Sequence, residues 1–533
     1  MRSLLAFAAA CVSAAALAGP VDLVLRNGRI YTVDDRFSIA QAIAIRGARV
    51  LVTGTDAEIS KLATADTRVV DLRGRTVIPG LIDNHAHYLR AAEYWHREVR
   101  LDGVTSRRKA LEMIAAKAKA SAPGEWVLAL GGWSLEQFSD SRAGFTRAEL
   151  DEIAPNNPVA LQLIYFRIYT NSAGLKALGV EEPTGVLNGA PAVRATLAKL
   201  GDIAMERMVA NARALMADLN RMGVTSFIDM GGRGFRDKYF EPFETLHRAN
   251  ALTTRVFYYT WNEPETAEQV DAVVAKIRQM KPFQGDDWMN QVGYGETLFF
   301  PLHDNLLAAK ANPTPEGMAQ LHRIAQAVAD QGMALHVHAQ LRASIEAFLT
   351  EFETINKTRP IRGLRWSFAH ADQLEPKDLD RLRRLGMAVQ LHSRPTIQGG
   401  LMMKIHGDRT LDMPPMRMLQ ESGIPWGLGS DATAVTPTNP FYTLWFAVSG
   451  KMLGDGVVNR ETITREQALI AHTRSNAYFM FQEANLGSLA PGKYADLVVL
   501  DRDYFTVPVD EIAAIKPVLT VVGGKTVYDA IVP

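Results

Sequence analysis

Two histidines separated by a single residue, His85 and His87, follow the apolar run Val77–Ile82. On an extended segment, side chains two positions apart point to the same side of the chain. Two imidazoles on one side can bind one metal ion, so the pair predicts a metal site. A His-x-His pair alone is a weak signal, because an isolated histidine is more often a hydrogen-bonded core or surface residue.

Residues with the same chemistry end several later apolar runs of the chain. They are Glu296, His338 (two positions after His336), His370, His392 and Asp431. Imidazoles and carboxylates bind metal ions and transfer protons. The chain has one cysteine, Cys11, in the N-terminal apolar stretch, so a thiolate ligand is not expected in the mature protein.

Short apolar runs alternate with segments of helical periodicity, which predicts an α/β fold with a TIM-like parallel (β/α)8 barrel. We interpret eight runs as barrel strands: 77–82, 126–131, 224–229, 291–296, 334–338, 366–370, 387–392 and 425–431. The strand C-terminal ends of such a barrel meet at one face, which would bring the histidines and acids together. The barrel is expected to span residues 79–479, with a lid-like insertion near 132–223.

Both ends of the chain contain short alternating strands with tight turns, such as the turn at Asn27-Gly28. Residues 19–78 and 480–533 are therefore expected to pair into one composite β-sandwich domain.

The first residues have the pattern of a secretory signal peptide, with a basic start, a short apolar core and an Ala16-Leu17-Ala18 exit. Cleavage after Ala18 predicts a signal peptide over 1–18 and an exported protein, periplasmic or secreted. Lys plus Arg equal Asp plus Glu at 58 each, so nothing in the charge favours nucleic acid. No later apolar run is long enough to predict stable membrane insertion after cleavage.

Several stretches resemble the amidohydrolase superfamily, and more narrowly its family 3, a branch that includes N-substituted formamide deformylases. The matching stretches are Pro79–His87, Ala369-His370-Ala371-Asp372, Gly429-Ser430-Asp431, Asn439-Pro440 and Leu486–Val499. The resemblance extends from about Val21 to the C-terminus.

The resemblance implies one or two divalent ions, with zinc as the expected metal, bound by side chains from several strands. The metal ligands that the resemblance implies are His85, His87, His338, His370 and Asp431. Glu296 is a sixth candidate ligand, which departs from the family pattern. The implied reaction is hydrolysis by metal-activated hydroxide, with Asp431 transferring the proton. We add the hypothesis that His392 stabilises the oxyanion; a structural role for this histidine is the alternative.

Two positions depart from the pattern of the relatives. Relatives usually have a carboxylated lysine on the fourth strand, whereas this chain has Tyr294-Gly295-Glu296 there. Glu296 is the obvious substitute, although a helix cap or a solvent-facing residue is the alternative. A histidine expected before Asn171 is also absent, and Phe166 and Arg167 occupy that region.

The leading interpretation is an exported, metal-dependent hydrolase of C–N bonds in an amide, formamide, carbamate or cyclic amide. A metal-dependent esterase or lactonase, and a non-catalytic metal- or solute-binding protein, remain open at this stage. The expected partner is a small-molecule substrate, with Tyr88, Trp95 and Trp133 as candidate substrate-binding residues. Oligomer formation is compatible with the sequence, which does not specify it.

Overall fold

The computed structural model describes residues 19–233 and 237–531, with the side chains of residues 231–233 excepted. Its central element is an eight-stranded parallel sheet curled into a barrel. The strands are β1 (Leu81–Ala86), β2 (Val224–Arg233), β3 (Arg255–Thr260), β4 (Met289–Glu296), β5 (Ala334–Ala339), β6 (Ser367–His370), β7 (Ala388–His392) and β8 (Trp426–Gly429). At the C-terminal ends of β8 and β1, Asp431 N donates to His85 O at 2.8 Å and His87 N donates to Ala432 O at 2.7 Å. These bonds bring the first and last strands side by side, as the predicted barrel requires.

Helices alternate with the strands, as the periodicity predicts. Those between β1 and the end of the barrel region are Tyr88–Ala91, Arg107–Ala120, Arg147–Ile153, Ser172–Leu178, Ala190–Ala198, Met205–Arg221, Glu241–Arg248, Ala267–Ile277, Pro315–Asp330, Arg342–Thr358, Leu379–Leu385, Pro395–His406, Met416–Ser422, Pro440–Ser449, Arg465–Ala471 and Arg474–Phe479. Helix Arg342–Thr358 buries Ile345, Phe348, Leu349 and Phe352, which recur at three- and four-residue spacing. One apolar face therefore attaches this helix to the core.

One predicted barrel strand is wrong. The run 126–131 forms the short strand Val127–Ala129 of a separate four-stranded sheet, together with Val159–Leu163, Arg167–Thr170 and Val186–Asn188. The barrel strand missing from the prediction is β3. A short apolar run fits either sheet equally well, and long-range pairing decides between them. The segment between β1 and β2, residues 87–223, contains this sheet and is called the inserted domain below. The lid-like insertion near 132–223 stays a prediction.

The predicted run 77–82 is divided between two sheets. Thr76–Pro79 pairs with Leu497–Leu500 outside the barrel, whereas β1 begins at Leu81. Gly80 lies at the crossing, where a Cβ atom would come within 2.1 Å of Thr225 Oγ1. A glycine is therefore needed where the chain passes from one sheet to the other.

A β-sandwich is built from both chain ends, as the sequence predicts. Its six-stranded sheet contains Arg29–Tyr31, Ile39–Ala40, Thr76–Pro79, Leu497–Leu500, Pro517–Val522 and Lys525–Asp529. Its four-stranded sheet contains Leu23–Arg26, Ala42–Arg46, Arg49–Gly54 and Arg68–Asp71. Leu25, Ile43, Val77, Leu497 and Leu519 are fully buried in one apolar cluster that joins the two sheets. The domain boundaries themselves stay a prediction.

The predicted signal peptide over 1–18 lies outside the described residues. Within the described part of the chain, no helix is both long and apolar enough to cross a membrane.

Candidate metal centre

All six predicted metal ligands lie together at the C-terminal face of the barrel, and all are buried. His85 lies near the end of β1 and His87 directly follows it. Glu296 ends β4, His338 is on β5, His370 ends β6, and Asp431 follows β8. Because parallel strands end at one face, residues far apart in the sequence share a single site.

The first half of the site contains the histidine pair from β1. His87 Nε2 lies 3.2 Å from Asp431 Oδ1, and His85 Nε2 lies 3.5 Å from the same oxygen. Glu296 Oε2 is 3.7 Å from His85 Nε2 and 3.8 Å from His87 Nε2. The Nε2 atoms of the two histidines and one carboxylate oxygen each from Glu296 and Asp431 thus surround one point.

The second half of the site contains the histidines from β5 and β6. Glu296 Oε1 lies 3.0 Å from His338 Nδ1 and 3.1 Å from His370 Nε2. The two oxygens of Glu296 therefore face different pairs of imidazoles, which is the arrangement expected of a carboxylate that bridges two ions.

The donor atoms fit divalent ions. Nitrogen and oxygen ligands of zinc lie about 2.0–2.2 Å from the ion, which places them roughly 3–4 Å from one another. The separations in both halves fall in that range, and no hydrogen-bond partner satisfies the buried Nε2 of His85. A nitrogen lone pair that faces two carboxylates without a proton donor is suited to a cation.

The charge states also suit a cation site. Burial would raise the pKa of Glu296, but the neighbouring imidazoles of His85, His338 and His370 hold it well below its usual range. Burial likewise opposes ionisation of Asp431, and Arg394 together with His85 and His87 lowers its pKa well below the usual range. Both carboxylates are therefore ionised at neutral pH.

The imidazoles are mostly neutral. Burial, with help from the charge of Arg90, lowers the pKa of His87 to about 4. Burial also lowers the pKa of His370 well below its usual range. His338 differs: burial favours the neutral ring, but Asp304 and Glu296 outweigh it and raise its pKa to about 9. A proton on His338 thus provides the positive charge that a cation would provide beside Glu296.

Hydrogen-bond partners behind the candidate ligands influence which ring nitrogen of each histidine carries a proton and which one can bind metal. His85 Nδ1 lies 2.8 Å from His336 Nε2, and His336 Nδ1 lies 2.9 Å from Ser367 Oγ. In the tautomer with a proton on His85 Nδ1, His85 donates to His336 Nε2 and keeps the lone pair of its own Nε2. Gln390 Nε2 also lies near His336 Nδ1, at 3.0 Å. On the other side, His338 Nε2 lies 2.9 Å from Asp304 Oδ1 and can donate to it, so a bound cation that displaces the proton of Nδ1 would find that nitrogen free to ligate.

His392 and Arg394, from the end of β7, complete the site. His392 Nδ1 lies 2.5 Å from His370 Nδ1, and His392 Nε2 has no hydrogen-bond partner. Arg394 Nε donates to Asp431 Oδ2 at 2.7 Å, and its Nη2 lies 3.3 Å from His370 Nε2. The oxygen Asp431 Oδ2 is therefore held by arginine, while Oδ1 faces the β1 histidines.

The backbone is strained at two of the candidate ligands. His370 has φ of 72° and Asp431 has φ of 67°, in the left-handed region that non-glycine residues rarely adopt. Such strain persists only where the surrounding structure imposes it, and it concentrates at functional sites.

The three candidate substrate-binding aromatics are placed in packed regions. Tyr88 is fully buried and donates from its hydroxyl to Asp83 Oδ2 at 2.9 Å. Trp95 is buried and donates to Asp218 Oδ2 at 2.7 Å, and Trp133 is buried beside Phe138 in the inserted domain. Their contact with substrate stays a prediction, and the structure gives each of them a packing role.

Sequence reasoning missed three residues of this site. The sequence pattern favours His338 as a ligand and gives His336 no role, yet His336 Nε2 contacts His85 Nδ1. Arg394 is two positions after His392 at the end of β7, so the same-side rule that selected His85 and His87 could have found it. Asp304 lies in a loop after β4, and no spacing rule in the sequence indicates its contact with His338.

Comparisons with known proteins agree with this geometry. A family model described as "Amidohydrolase family", the third in its series, matches residues 68–528. N-substituted formamide deformylase of Arthrobacter pascens is 26% identical over 95% of this chain and 98% of its own length.

Two solved structures illustrate the similarity of fold. An uncharacterized metal-dependent hydrolase from Pyrococcus horikoshii has a TM-score of 0.67 at 21% identity, covering 92% of this chain and 99% of that one. Atrazine chlorohydrolase from Arthrobacter aurescens, solved with zinc, has a TM-score of 0.54 at 17% identity, covering 95% of each chain.

Proposed function

The chain belongs to family 3 of the amidohydrolases, which are metal-dependent hydrolases, and we propose that it cleaves a C–N bond of an amide, formamide, carbamate or cyclic amide. The observation that carries this proposal is the position of Glu296, whose two oxygens face separate pairs of histidines. Asp431 stands beside the β1 histidines with Oδ1 facing them and Oδ2 held by Arg394, so a carboxylate that can accept a proton lies at the candidate centre.

The site residues fit a pair of divalent ions bridged by Glu296. His85, His87 and Asp431 would hold one, and His338 and His370 would hold the other. Such ions, when bound, supply Lewis acidity, which lowers the pKa of water to about 7 and polarises a carbonyl group. We propose zinc, because a site rich in imidazole suits that metal and because the related atrazine chlorohydrolase was solved with zinc.

The chain's own groups have defined tasks in this reaction. Asp431 is ionised, so its carboxylate can accept a proton from the attacking water and return it to the leaving nitrogen. His392, whose Nε2 has no partner, can donate a hydrogen bond to the oxygen of the carbonyl. In the balanced reaction, water adds across the C–N bond and yields a carboxylic acid and an amine.

A panel of substrates tests the proposed reaction. Metal-loaded protein is assayed with N-formyl amines, N-acyl amines, carbamates, cyclic amides and matched esters. We expect turnover of at least one class of C–N substrate, in line with the formamide deformylase among the relatives. Activity on esters alone would identify an esterase or lactonase, and inactivity on all classes with fully bound metal would favour a binding protein.

The number of ions is tested through Glu296. We propose two ions in the wild-type protein and expect elemental analysis to find two per chain. Glu296→Gln removes the bridging charge, and we expect at most one ion to remain. A Glu296→Gln protein that still bound two ions would contradict a bridging role for this residue.

We also propose export, on the basis of the signal-peptide pattern over residues 1–18. Expression in a bacterium with an intact secretion system should give a mature chain that begins at Gly19. A protein recovered outside the cytoplasm that still began at Met1 would contradict cleavage.

A further inference from the structure

We propose that Arg90 binds a carboxylate of the substrate, so that the preferred substrates are amides with a free carboxylate, such as N-acylated amino acids. The inference rests on the proposed function and narrows its substrate class. It depends on a cavity beside the metal centre and on the unpaired charge of one arginine.

The cavity has a volume of about 420 Å³, which is within the size range of small-molecule sites. It opens beside the metal centre: Thr433 and Ala434 in its wall directly follow the Asp431 segment, and Arg90 is three residues after His87. The inserted domain supplies the opposite wall, which includes Gln162 and Tyr165. Burial and then the charge of Arg90 lower the pKa of His87, so Arg90 lies near the candidate ligands, and we expect a substrate in this cavity to extend toward them.

Arg90 is a cation of this cavity that forms no direct ion pair with a described carboxylate: burial lowers its pKa, and Tyr165 and the more distant Asp431, Asp229 and Glu296 raise it. Its guanidinium donates to the hydroxyl of Tyr165, a neutral acceptor, and lies 5.8 Å from that ring. Among the described residues, no carboxylate forms an ion pair with it. By contrast, Arg394 is paired with Asp431, and Arg100 with Asp102 at 2.8 Å.

The half-buried guanidinium of Arg90 has one neutral hydrogen-bond partner, so further N–H groups can donate to a ligand. Arginine presents five N–H groups in a planar fork that matches the two oxygens of a carboxylate. An anionic ligand would pair the charge and add charge-assisted hydrogen bonds. This is the chemistry that favours a carboxylate over a neutral group at this position.

The remaining charged groups of the cavity are paired or lie at its rim. Lys238 contacts Glu93 at 2.7 Å. Glu98 accepts from Leu130 N at 3.1 Å and lies 3.7 Å from Arg100. Arg194 and the carboxylate of Asp202 are exposed at the outer side. The anion-binding part of the cavity is therefore its metal-proximal end, at Arg90.

Apolar and aromatic side chains make up much of the rest of the wall. They are Ala91, Tyr94, Leu130, Leu197, Ala198, Tyr239 and Ala434. Such a wall accommodates an apolar side chain, so an N-acylated amino acid with an aromatic or aliphatic side chain matches both features of the cavity.

The test compares two substrates that differ only in the carboxylate: N-formylphenylalanine and N-formylphenethylamine. We expect wild-type holoenzyme to have a kcat/KM at least tenfold higher for the acid. Arg90→Met should lower the ratio of the two kcat/KM values roughly 10- to 100-fold. A loss of that size corresponds to the usual contribution of charge-assisted hydrogen bonds to binding. Arg194→Met, which removes a positive charge from the rim of the same cavity, should leave the ratio within about twofold.

Equal kcat/KM values for the two substrates in the wild-type protein, or an unchanged ratio in Arg90→Met, would overturn the inference while leaving amide hydrolysis intact. If neither substrate is hydrolysed, the proposed function is in question, and calorimetry then tests Arg90 separately. The inert acid 4-phenylbutanoate should bind wild-type holoenzyme and should bind Arg90→Met at least tenfold more weakly. Equal binding to both proteins would place the carboxylate elsewhere, for example on the metal, and would overturn the inference.

Discussion

The chemistry of the candidate centre depends on single side chains. Among them, Asp431 has contacts at both of its carboxylate oxygens. One of its oxygens faces His85 and His87 and the other is held by Arg394. The acid is therefore oriented before any substrate arrives, which lowers the reorganisation needed for proton transfer.

Replacing Asp431 by asparagine should separate proton transfer from metal binding. An asparagine keeps the shape and one oxygen but cannot accept a proton, so we expect kcat to fall by about 10²- to 10⁴-fold. Metal content, measured by elemental analysis, should change little, because the remaining oxygen of the asparagine can still face the ion and the histidines and Glu296 remain. A fully active Asp431→Asn protein would exclude the proton-transfer role.

His336 acts behind the metal ligands, through its contact of 2.8 Å with His85 Nδ1. Removal of such a partner commonly costs 10- to 100-fold in metal affinity, and we expect about that loss for His336→Ala in a competition titration with a chelator. His472→Ala is the matched control, since His472 is equally buried but neither of its ring nitrogens has a partner. Equal losses of affinity in both variants would show that a cavity, rather than the lost hydrogen bond, is responsible.

At the scale of elements, the strand ends explain why so much of the site could be predicted. Histidines and acids that end apolar runs are brought together by any parallel barrel, whatever its exact register, so His85, Glu296 and Asp431 could be selected without coordinates. The bridging position of Glu296 needed the structure, because it depends on which oxygen faces which imidazole.

Other features could not be predicted, for physical reasons. The strand Val127–Ala129 and β3 are both short apolar runs, and only pairing with distant partners separates them. The packed positions of Trp95 and Trp133 depend on the inserted domain, whose arrangement has no local signal. Aromatic residues near a barrel mouth consequently resemble substrate contacts in the sequence even where they are core.

The end of β4 depends on a glycine directly before Glu296. Gly295 has φ of 137°, and a Cβ there would lie 1.8 Å from His336 O on β5. We expect Gly295→Ala to displace Glu296 and lower bound metal to one ion per chain or fewer, together with a loss of thermal stability. Gly332→Ala is the control: it also replaces a glycine of positive φ, at 64°, but has no atom within 4 Å of the new Cβ. Similar metal contents in the two variants would mean that the close approach to β5 does not position Glu296.

At the scale of the whole molecule, the centre connects strands that are distant in sequence. Its ligands come from β1, β4, β5, β6 and the segment after β8, so bound ions would join both ends of the barrel sheet. The composite sandwich joins the chain termini in a different way, through apolar packing of Leu25, Val77 and Leu497. Removal of metal should therefore weaken the barrel without directly affecting the sandwich core.

Chelation should lower the melting temperature, because ions that bind only the folded protein stabilise it by mass action. At a free metal concentration of 100 times Kd, one site contributes about 2.7 kcal/mol. Calorimetry of the metal-loaded and chelated proteins measures the difference, and adding zinc back should restore both the melting temperature and hydrolysis. In Glu296→Gln the shift on chelation should be smaller, since that variant is expected to hold fewer ions. A melting temperature that is the same with and without metal, in protein shown by elemental analysis to have been fully loaded, would mean that the ions do not contribute to the stability of the barrel.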